Sequence, residues 1–215
     1  MYILYGKKGS GSASTEAALA LIGAPCRIIE TASWEPNDAF QDLLKINPLG
    51  QIPTLVLPDG SALSESAAIL IHLGLAHPES GLLPRAESVR AQTIRGLVYI
   101  AANCYAAISI IDFPERWCED ADEATQARIR AGTRSRLHRH WEIFADLFPV
   151  RSNAYLSGET VGALDRLAAV VSKWSGSRAH LQKERPALYE ALLRVEAQPQ
   201  VGAVFARHWP PAAPK

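Results

Sequence analysis

The sequence predicts two structural units, an α/β domain over residues 1–77 and an all-helical domain over residues 87–215, joined by a linker at residues 78–86. Two observations lead to this prediction. Short apolar strands alternate with helices in the first third of the chain, in the order βαβαββα. After that region no strand pattern follows, and apolar residues recur at helical spacing.

The elements of the α/β domain follow one another closely. Because a helix separates the first two strands, their connection must cross over to a parallel neighbour. Asp59-Gly60 is typical of a tight hairpin turn. The predicted elements are, in order, strand 2–5, helix 13–23, strand 26–30, helix 38–46, strand 54–57, strand 62–63 and a helix from residue 64 to about residue 76. This is the order of a thioredoxin-like domain.

The second unit begins after the segment HPESGLLPR, residues 77–85, whose two prolines and glycine are typical of a linker. A long amphipathic helix follows, with apolar residues from Ile94 to Ile111 at helical spacing and a stop at Pro114. Further helices are predicted at residues 123–147, 162–174, 186–195 and 201–208. This pattern predicts a helical bundle.

The charge balance argues against several classes of partner. The chain has 22 basic and 22 acidic residues, so no overall field would recruit nucleic acid or an acidic membrane. The basic cluster at residues 128–139 falls on an amphipathic helix and indicates a solvated face. The apolar run at the N-terminus is too short for a signal peptide, and we expect no bilayer-spanning stretch, so the predicted location is the cytoplasm.

The residues that usually hold metals or cofactors give no pattern here. Cys26, Cys104 and Cys118 are odd in number and form no C-x-x-C, which argues against a disulfide framework or a zinc site. The six histidines lack metal-ligand spacing, and no convincing nucleotide-binding glycine motif is present. We therefore expect no metal and a small diffusible cofactor.

The most informative stretch is NPLGQIPTLVLPDGSALSESAA, residues 47–68. Pro53 follows Gln51-Ile52 and begins a strand, and a cis bond there would turn the Ile52 N–H and C=O outward to pair with an extended peptide. Glu65-Ser66 opens an apolar helix, where free N–H groups and the positive end of the helix dipole favour a carboxylate. The stretch predicts a site for a small extended peptide that carries a carboxylate.

A purely structural interpretation of this stretch is a β-hairpin packed on a helix. Ser64 would then be an ordinary helix cap and Glu65 a first-turn acid. The Glu65-Ser66 pair alone would not outweigh that interpretation. The Gln-Ile-Pro loop, the hairpin turn and the Glu-Ser helix start, all in register, favour the binding site.

The order of these pieces resembles the glutathione site of the soluble glutathione transferases. In that family the residue before a cis-proline pairs with the cysteinyl part of glutathione, and a Glu/Gln-Ser pair at the next helix start holds its γ-glutamyl end. The resemblance implies these roles for Ile52 with Pro53, and for Glu65 with Ser66, with Gln51 beside them. It also implies glutathione as the co-substrate.

A second stretch, YLSGETVGALDRLAAV at residues 155–170, resembles a family sequence in which a Ser or Thr caps a buried helix and an Asp three residues later bonds back to the cap. Asp165 occupies the acidic position. Gly162 replaces the hydroxyl residue, and a glycine cap costs only a few tenths of a kcal/mol relative to serine.

Glutathione chemistry requires a thiolate, so a protein of this family must lower the thiol pKa from its ordinary value near ~8.5. In the family the donor is a Tyr, Ser or Cys just after the first strand. Ser10 stands where bacterial members of the cysteine type carry that cysteine, and Ser12 is the alternative donor or a helix cap. Tyr5 is assigned to the strand. A serine at this position disfavours a mixed disulfide between glutathione and the enzyme.

The second substrate is expected between the two domains, against the long helix. The candidate wall residues are Asn103, Tyr105, Phe113, Arg116 and Trp117. Tyr105 lies on the apolar stripe and is equally compatible with a core position, although its hydroxyl needs a partner. The mainly apolar wall indicates a hydrophobic, electrophilic substrate.

Together these features predict a glutathione transferase that conjugates glutathione to hydrophobic electrophiles in detoxification or catabolism. One alternative is glutathione-dependent reduction of disulfides or peroxides, and another is a catalytically silent glutathione-binding protein of the same fold. The resemblance further implies a homodimer, and we expect neither a nucleic-acid nor a membrane partner.

Overall fold

The computed structural model describes residues 1–150 and 154–210 and confirms the predicted fold. A thioredoxin-like domain is followed by a helical domain. The N-terminal elements are β1 (Tyr2–Gly6), α1 (Ser12–Ile22), β2 (Cys26–Glu30), α2 (Asp38–Ile46), β3 (Thr54–Val56), β4 (Ala62–Leu63) and α3 (Ser66–Ala76). They keep the order βαβαββα.

The four strands form one mixed sheet in the order β2-β1-β3-β4. Strand β1 is parallel to β2 and antiparallel to β3, with Tyr5 opposite Thr54. Because β1 is central, its end delivers the following loop, residues 7–11, to the same edge of the sheet as the start of β3.

The helical domain contains α4 (Glu87–Tyr99), a π-helical turn (Ile100–Tyr105), α5 (Ala106–Asp112), α6 (Glu123–Leu147), α7 (Ala163–Val171), α8 (Ser177–Glu184), α9 (Pro186–Glu196) and α10 (Pro199–His208). Short 3₁₀ turns lie at Pro78–Ser80 and Pro114–Arg116. The long predicted helix is therefore present, with a wide turn in its middle.

The structure differs from the prediction after α7. That helix was predicted to reach Trp174 but ends at Val171, and α8 was not predicted. Ser175 and Gly176 both have positive φ, 55° and 78°, which breaks the helical path. Helix α8 has few apolar residues and hence no clear periodic signal in the sequence.

The two domains share one core. Leu4 and Leu70 of the first domain belong to the same buried cluster as Leu97, Trp141 and Leu167 of the second. Helix α1 contacts α7 and α10 as well as α3. This continuous packing fixes the position of the α1 N-terminus relative to the helical domain.

Asp165 anchors the start of α7 as the resemblance implied. Its carboxylate accepts hydrogen bonds from the backbone N–H groups of Leu156 (2.7 Å), Ser157 (3.1 Å) and Gly162 (2.9 Å). A Cβ on Gly162 would lie 2.4 Å from Ser157 Oγ. Glycine at this cap therefore leaves room for the neighbouring serine side chain.

The expectation that no stretch could span a bilayer is wrong when only length and composition are considered. The continuous helical stretch Glu87–Asp112 has 26 residues and a mean hydropathy of 1.6 in its most apolar window. Core helices of folded domains meet the same criterion, and Leu97, Ile100 and Ile108 of this stretch are buried in the shared core.

Candidate functional site

A cavity of about 410 Å³ lies between the two domains. The thioredoxin-like domain forms one wall with the loop after β1, the loop before β3 and the start of α3. Helices α5 and α7 and their neighbours form the other. Its lining includes Ser10, Gly11, Ile52, Ser66, Tyr105 and Trp174.

The loop before β3 presents an unpaired backbone to this cavity. The Ile52–Pro53 bond is cis. Asn47 Nδ2 (3.2 Å) and Thr54 Oγ1 (2.8 Å) both donate to the Gln51 carbonyl and hold the loop in place. In the described part of the chain, the Ile52 N–H and C=O have no hydrogen-bond partner. These two groups can pair with an extended peptide as a strand would.

The start of α3 brings Glu65 and Ser66 to the cavity. Helix α3 begins at Ser66, with Glu65 as its N-cap residue at φ 65°, and neither Ser64 nor Glu65 caps it through a side chain. The ordinary-cap interpretation of Ser64 is therefore wrong. Ser66 Oγ is buried and has no partner among the described residues. A buried hydroxyl without a partner is costly, so a bound polar ligand would satisfy it.

The loop after β1 contains Ser10 and Ser12 at different depths. Ser10 lines the cavity and is 8% exposed, whereas Ser12 is fully buried. Ser12 lies under Gly6, where a Cβ would approach within 2.6 Å of Ser12 Oγ. Of the two predicted donors, only Ser10 borders the space in which a ligand could lie.

The Ser10 hydroxyl belongs to a hydrogen-bonded chain inside this loop. Its oxygen accepts from the backbone N–H groups of Lys7 (3.4 Å) and Ser12 (3.3 Å), and it lies 3.0 Å from Ser12 Oγ. The single Ser12 hydroxyl proton can point either to the Lys7 carbonyl at 3.3 Å or to Ser10 Oγ. The Ser10 proton can therefore turn to the cavity when the Ser12 proton turns to Ser10.

Gly11 adds a second donor beside Ser10. It is the N-cap residue of α1, and its N–H has no hydrogen-bond partner among the groups described. An unpaired N–H at the positive end of a helix favours a negative charge nearby. The two groups together form an anion-binding corner at one end of the cavity.

Tyr105 reaches the same corner from the helical domain. A Cβ on Gly11 would lie only 2.1 Å from Tyr105 Oη. The Tyr105 ring stacks on Trp174, with centroids 5.7 Å apart and planes at 18°. Burial raises the pKa of Tyr105 to about 12, with smaller contributions from Glu65 and Asp112. The hydroxyl therefore stays protonated at neutral pH and can donate.

The predicted wall for the second substrate is only partly at the cavity. Tyr105, Phe113 and Arg116 line it, and the Arg116 guanidinium lies 4.0 Å from the centre of the Phe113 ring. Asn103 does not line it, because its side chain donates to the Tyr99 carbonyl (3.1 Å). Trp117 also lies outside the lining and is 59% exposed.

Several lining residues were not predicted from the sequence. They are Ser33, Trp34, Ser109, Asp112, Leu167 and Trp174. Trp34 is 56% exposed, and an aromatic residue in a polar loop was the available signal for it. Trp174 follows α7 and gives no local signal, since only the packing of the helical domain brings it to Tyr105.

None of the three cysteines, all within the described residues, lines the cavity. Cys104 is fully buried, and burial raises the pKa of its thiol well above the ordinary value. It is unsuited to act as a thiolate nucleophile.

Comparison with known proteins gives a family match for the N-terminal unit. Residues 12–75 match the family described as glutathione S-transferase, N-terminal domain. The match covers α1 to α3, which contribute Ile52, Glu65 and Ser66 to the cavity.

Relatives of the glutathione S-transferase family extend the likeness along the sequence. The chain is 34% identical over 131 residues to the uncharacterised GST-like protein YncG of Escherichia coli K12, an alignment that covers 60% of this chain and 63% of that protein. It is 28% identical over 201 residues to the glutathione S-transferase GstA of Escherichia coli O157:H7, with coverage of 88% and 96%. The chain thus spans less than two thirds of the first relative.

Solved structures share the fold over nearly the whole chain. A glutathione transferase homologue from Sulfitobacter with bound glutathione superposes with a TM-score of 0.80, at 22% identity, covering 95% of this chain and 96% of that one. Ure2p in complex with S-p-nitrobenzylglutathione gives a TM-score of 0.77 at 16% identity, covering 95% and 93%. These likenesses confirm the fold predicted from the sequence.

Proposed function

We propose that this protein is a glutathione transferase that joins the sulfur of glutathione to hydrophobic electrophiles. The observation that carries the proposal is the set of unpaired polar groups around one cavity. The Ile52 backbone, Ser66 Oγ and the Gly11 N–H all lack partners among the described residues, and all border that cavity.

In the proposed complex glutathione lies extended along the thioredoxin-like domain. The Ile52 N–H and C=O pair with its cysteinyl residue, as a neighbouring strand would. Ser66 Oγ and the start of α3 bind the γ-glutamyl carboxylate, and the exposed Glu65 carboxylate binds the γ-glutamyl amine. Two solved neighbours, from Sulfitobacter and from a sphingomonad, contain bound glutathione, which supports this ligand.

The glutathione sulfur would then lie in the corner formed by Ser10, Gly11 and Tyr105. The two hydroxyls and the Gly11 N–H donate to the sulfur and favour the thiolate over the thiol, which lowers the thiol pKa. The proton leaves to solvent before the reaction. The thiolate attacks an electrophilic carbon, a carbon–sulfur bond forms, and the leaving group departs with its electron pair.

The electrophile would lie against the helical domain. Ile108, Phe113, Leu167 and Trp174 give that wall its apolar character, and Arg116 adds a positive charge at its edge. An apolar wall with few polar groups suits a hydrophobic substrate. Because none of the three described cysteines lines the cavity, a reductase mechanism would need glutathione to supply both sulfurs, as in the second candidate function.

A substitution at the γ-glutamyl end tests the site. We expect Ser66→Ala to raise the glutathione Kd by about ten-fold, the loss of one hydrogen bond to a charged group, while kcat at saturation changes little. Calorimetric titration measures the Kd. Ser109→Ala, which alters a serine elsewhere on the same cavity, is the matched control. An unchanged affinity in Ser66→Ala would exclude the proposed glutathione site.

The reaction itself is tested by rates with an aryl halide and with a mixed disulfide, measured side by side. A transferase uses the aryl halide faster, and a glutathione-dependent reductase uses the mixed disulfide faster. Glutathione binding without either rate identifies a silent binder. We further infer a homodimer that acts in the cytoplasm, and the three free cysteines support a reducing compartment.

A further inference from the structure

We propose that His208, in the last turn of α10, is a positioning residue for the loop that carries Ser10 and Gly11. His208 lies 199 residues from Gly9 in the sequence, yet its Nδ1 accepts a hydrogen bond of 3.1 Å from the Gly9 N–H. The inference rests on the proposed function only for its effect on turnover, since the effect on the loop itself is independent of glutathione.

Both ring nitrogens of His208 are engaged, and the residue is only 6% exposed. The Gly9 N–H can only donate, so Nδ1 must be the acceptor and the ring proton must lie on Nε2. Nε2 then donates to Glu16 Oε1 at 2.7 Å. Arg207 Nη2 donates to the other Glu16 oxygen at 3.0 Å. Glu16 therefore fixes the tautomer that the loop requires.

The bond to Gly9 acts on the central peptide of a turn. Residues 7–10 form a turn closed by the Ser10 N–H and the Lys7 carbonyl at 3.2 Å, and Gly9 has φ +74°. Such a turn depends on the orientation of its central peptide, the one that carries the Gly9 N–H. An acceptor on that N–H prevents the peptide from flipping and keeps the next residue, Ser10, at the cavity.

The other end of the loop has its own attachment. Lys7 Nζ pairs with Glu35 Oε2 at 2.6 Å, within the same domain. His208 is the anchor that comes from the helical domain. The last helix therefore has a direct physical connection to the corner in which the glutathione sulfur would lie, although α10 itself does not line that cavity.

Two substitutions separate the two hydrogen bonds of His208. Asparagine places an amide oxygen close to the position of Nδ1 and keeps an acceptor for Gly9, whereas glutamine places its amide near Nε2 and keeps a donor for Glu16. We expect amide exchange of Gly9, followed by NMR without glutathione, to accelerate about ten-fold or more in His208→Gln. In His208→Asn it should stay within about two-fold of the parent rate.

Turnover with the aryl halide should follow the same order. We expect kcat to fall about ten-fold in His208→Gln and to be largely retained in His208→Asn, with little change in KM for glutathione in either. Unchanged Gly9 exchange in His208→Gln would overturn the proposal. Equal acceleration in both folded variants would also overturn it, because His208 would then matter only for packing. If the parent protein binds glutathione but lacks turnover, the Gly9 amide exchange still tests the role of His208. Failure of the proposed function can therefore be distinguished from failure of this proposal.

Discussion

At Gly11 the two domains approach each other within atomic contact. The backbone angles of Gly11, φ −60° and ψ −17°, are open to any residue, so the conformation does not require glycine. The close approach of Tyr105 does, since a Cβ would overlap its hydroxyl. The sequence reveals neither this contact nor the depth difference between Ser10 and Ser12, because both depend on packing between distant segments.

We predict that Gly11→Ala lowers the free energy of unfolding by about 1 to 3 kcal/mol through overpacking, and lowers turnover by displacing Tyr105. Removing the hydroxyl leaves the ring carbon Cζ as the nearest atom, at 3.0 Å. The double variant Gly11→Ala/Tyr105→Phe should therefore be more stable than the two single effects together imply. Chemical unfolding of the four proteins measures this coupling. Strict additivity would contradict the contact.

Ser10 is the hydroxyl that borders the cavity from the first domain. We predict that Ser10→Ala lowers kcat by about ten-fold or more, about 1.4 kcal/mol, because the neutral thiol is favoured when a donor to the thiolate is lost. Glutathione affinity should change little. Ser109→Ala is again the control, and a spectroscopic titration of the bound thiol reports its pKa. If Ser12→Ala raises that pKa and Ser10→Ala does not, the donor assignment is wrong.

At the scale of elements, the π-helical turn Ile100–Tyr105 aims Tyr105 at the cavity. The Ala106 N–H bonds to the Ala101 carbonyl, five residues back, and the Asn103 carbonyl accepts from His140 Nδ1 at 2.8 Å. Each residue of a regular helix rotates the side-chain direction by about 100°, so the extra residue in the π-helical turn changes the direction in which Tyr105 points. The sequence IAANCY is compatible with an ordinary helix, so the wide turn could not be predicted from it.

Other elements could be predicted more closely. Strand β2 and helices α2 and α6 have the predicted bounds, because clear apolar periodicity lies between Gly, Pro or Asp/Asn boundaries. Helix α8 gave no such signal. The sequence also contains no signal that Glu16 of α1 pairs with His208 and Arg207 of α10.

These pairs between α1 and α10 predict that the stability of the fold depends on pH. Burial works to raise the pKa of the Glu16 carboxyl, but hydrogen bonds from His208 and Arg207 outweigh burial and lower the pKa below its ordinary value of 4.5. A lowered pKa in the folded state means that ionised Glu16 stabilises the fold above that ordinary value. The contribution is lost as the pH falls through the lowered pKa.

We therefore expect Glu16→Gln to cost about 2 kcal/mol of unfolding free energy at pH 7, and progressively less on acidification below pH 4.5, the ordinary value of the group. Urea unfolding at a series of pH values measures the difference between the variant and the parent protein. Glu190→Gln, on an exposed face of α9, is the matched control. A difference in unfolding free energy that stays constant down to the acid unfolding transition would contradict a stabilising role of ionised Glu16.

At the scale of the whole molecule, exposed apolar residues remain on α3 and α4. Leu75 of α3 is 59% exposed and Val98 of α4 is 53% exposed. Apolar surface of this kind is expected where a second subunit covers it.

We predict that the protein sediments as a dimer at low micromolar concentration and that Leu75→Arg shifts it to the monomer mass of 23.4 kDa. A buried arginine without a partner would oppose association. Leu193→Arg, at a 43% exposed leucine of α9, is the control and should stay dimeric. A parent protein that sediments only at the monomer mass would end the dimer proposal and leave the glutathione site unaffected.

The hydrogen bond between Gly9 and His208 has a consequence for biosynthesis. The two residues are 199 positions apart, so a ribosome working at roughly 5 to 20 residues per second needs on the order of ten to forty seconds between them. During that time the nascent chain holds the loop after β1 without its distant anchor. A product of interrupted translation that lacks the last helix would contain every residue of the loop and still leave it free to flip.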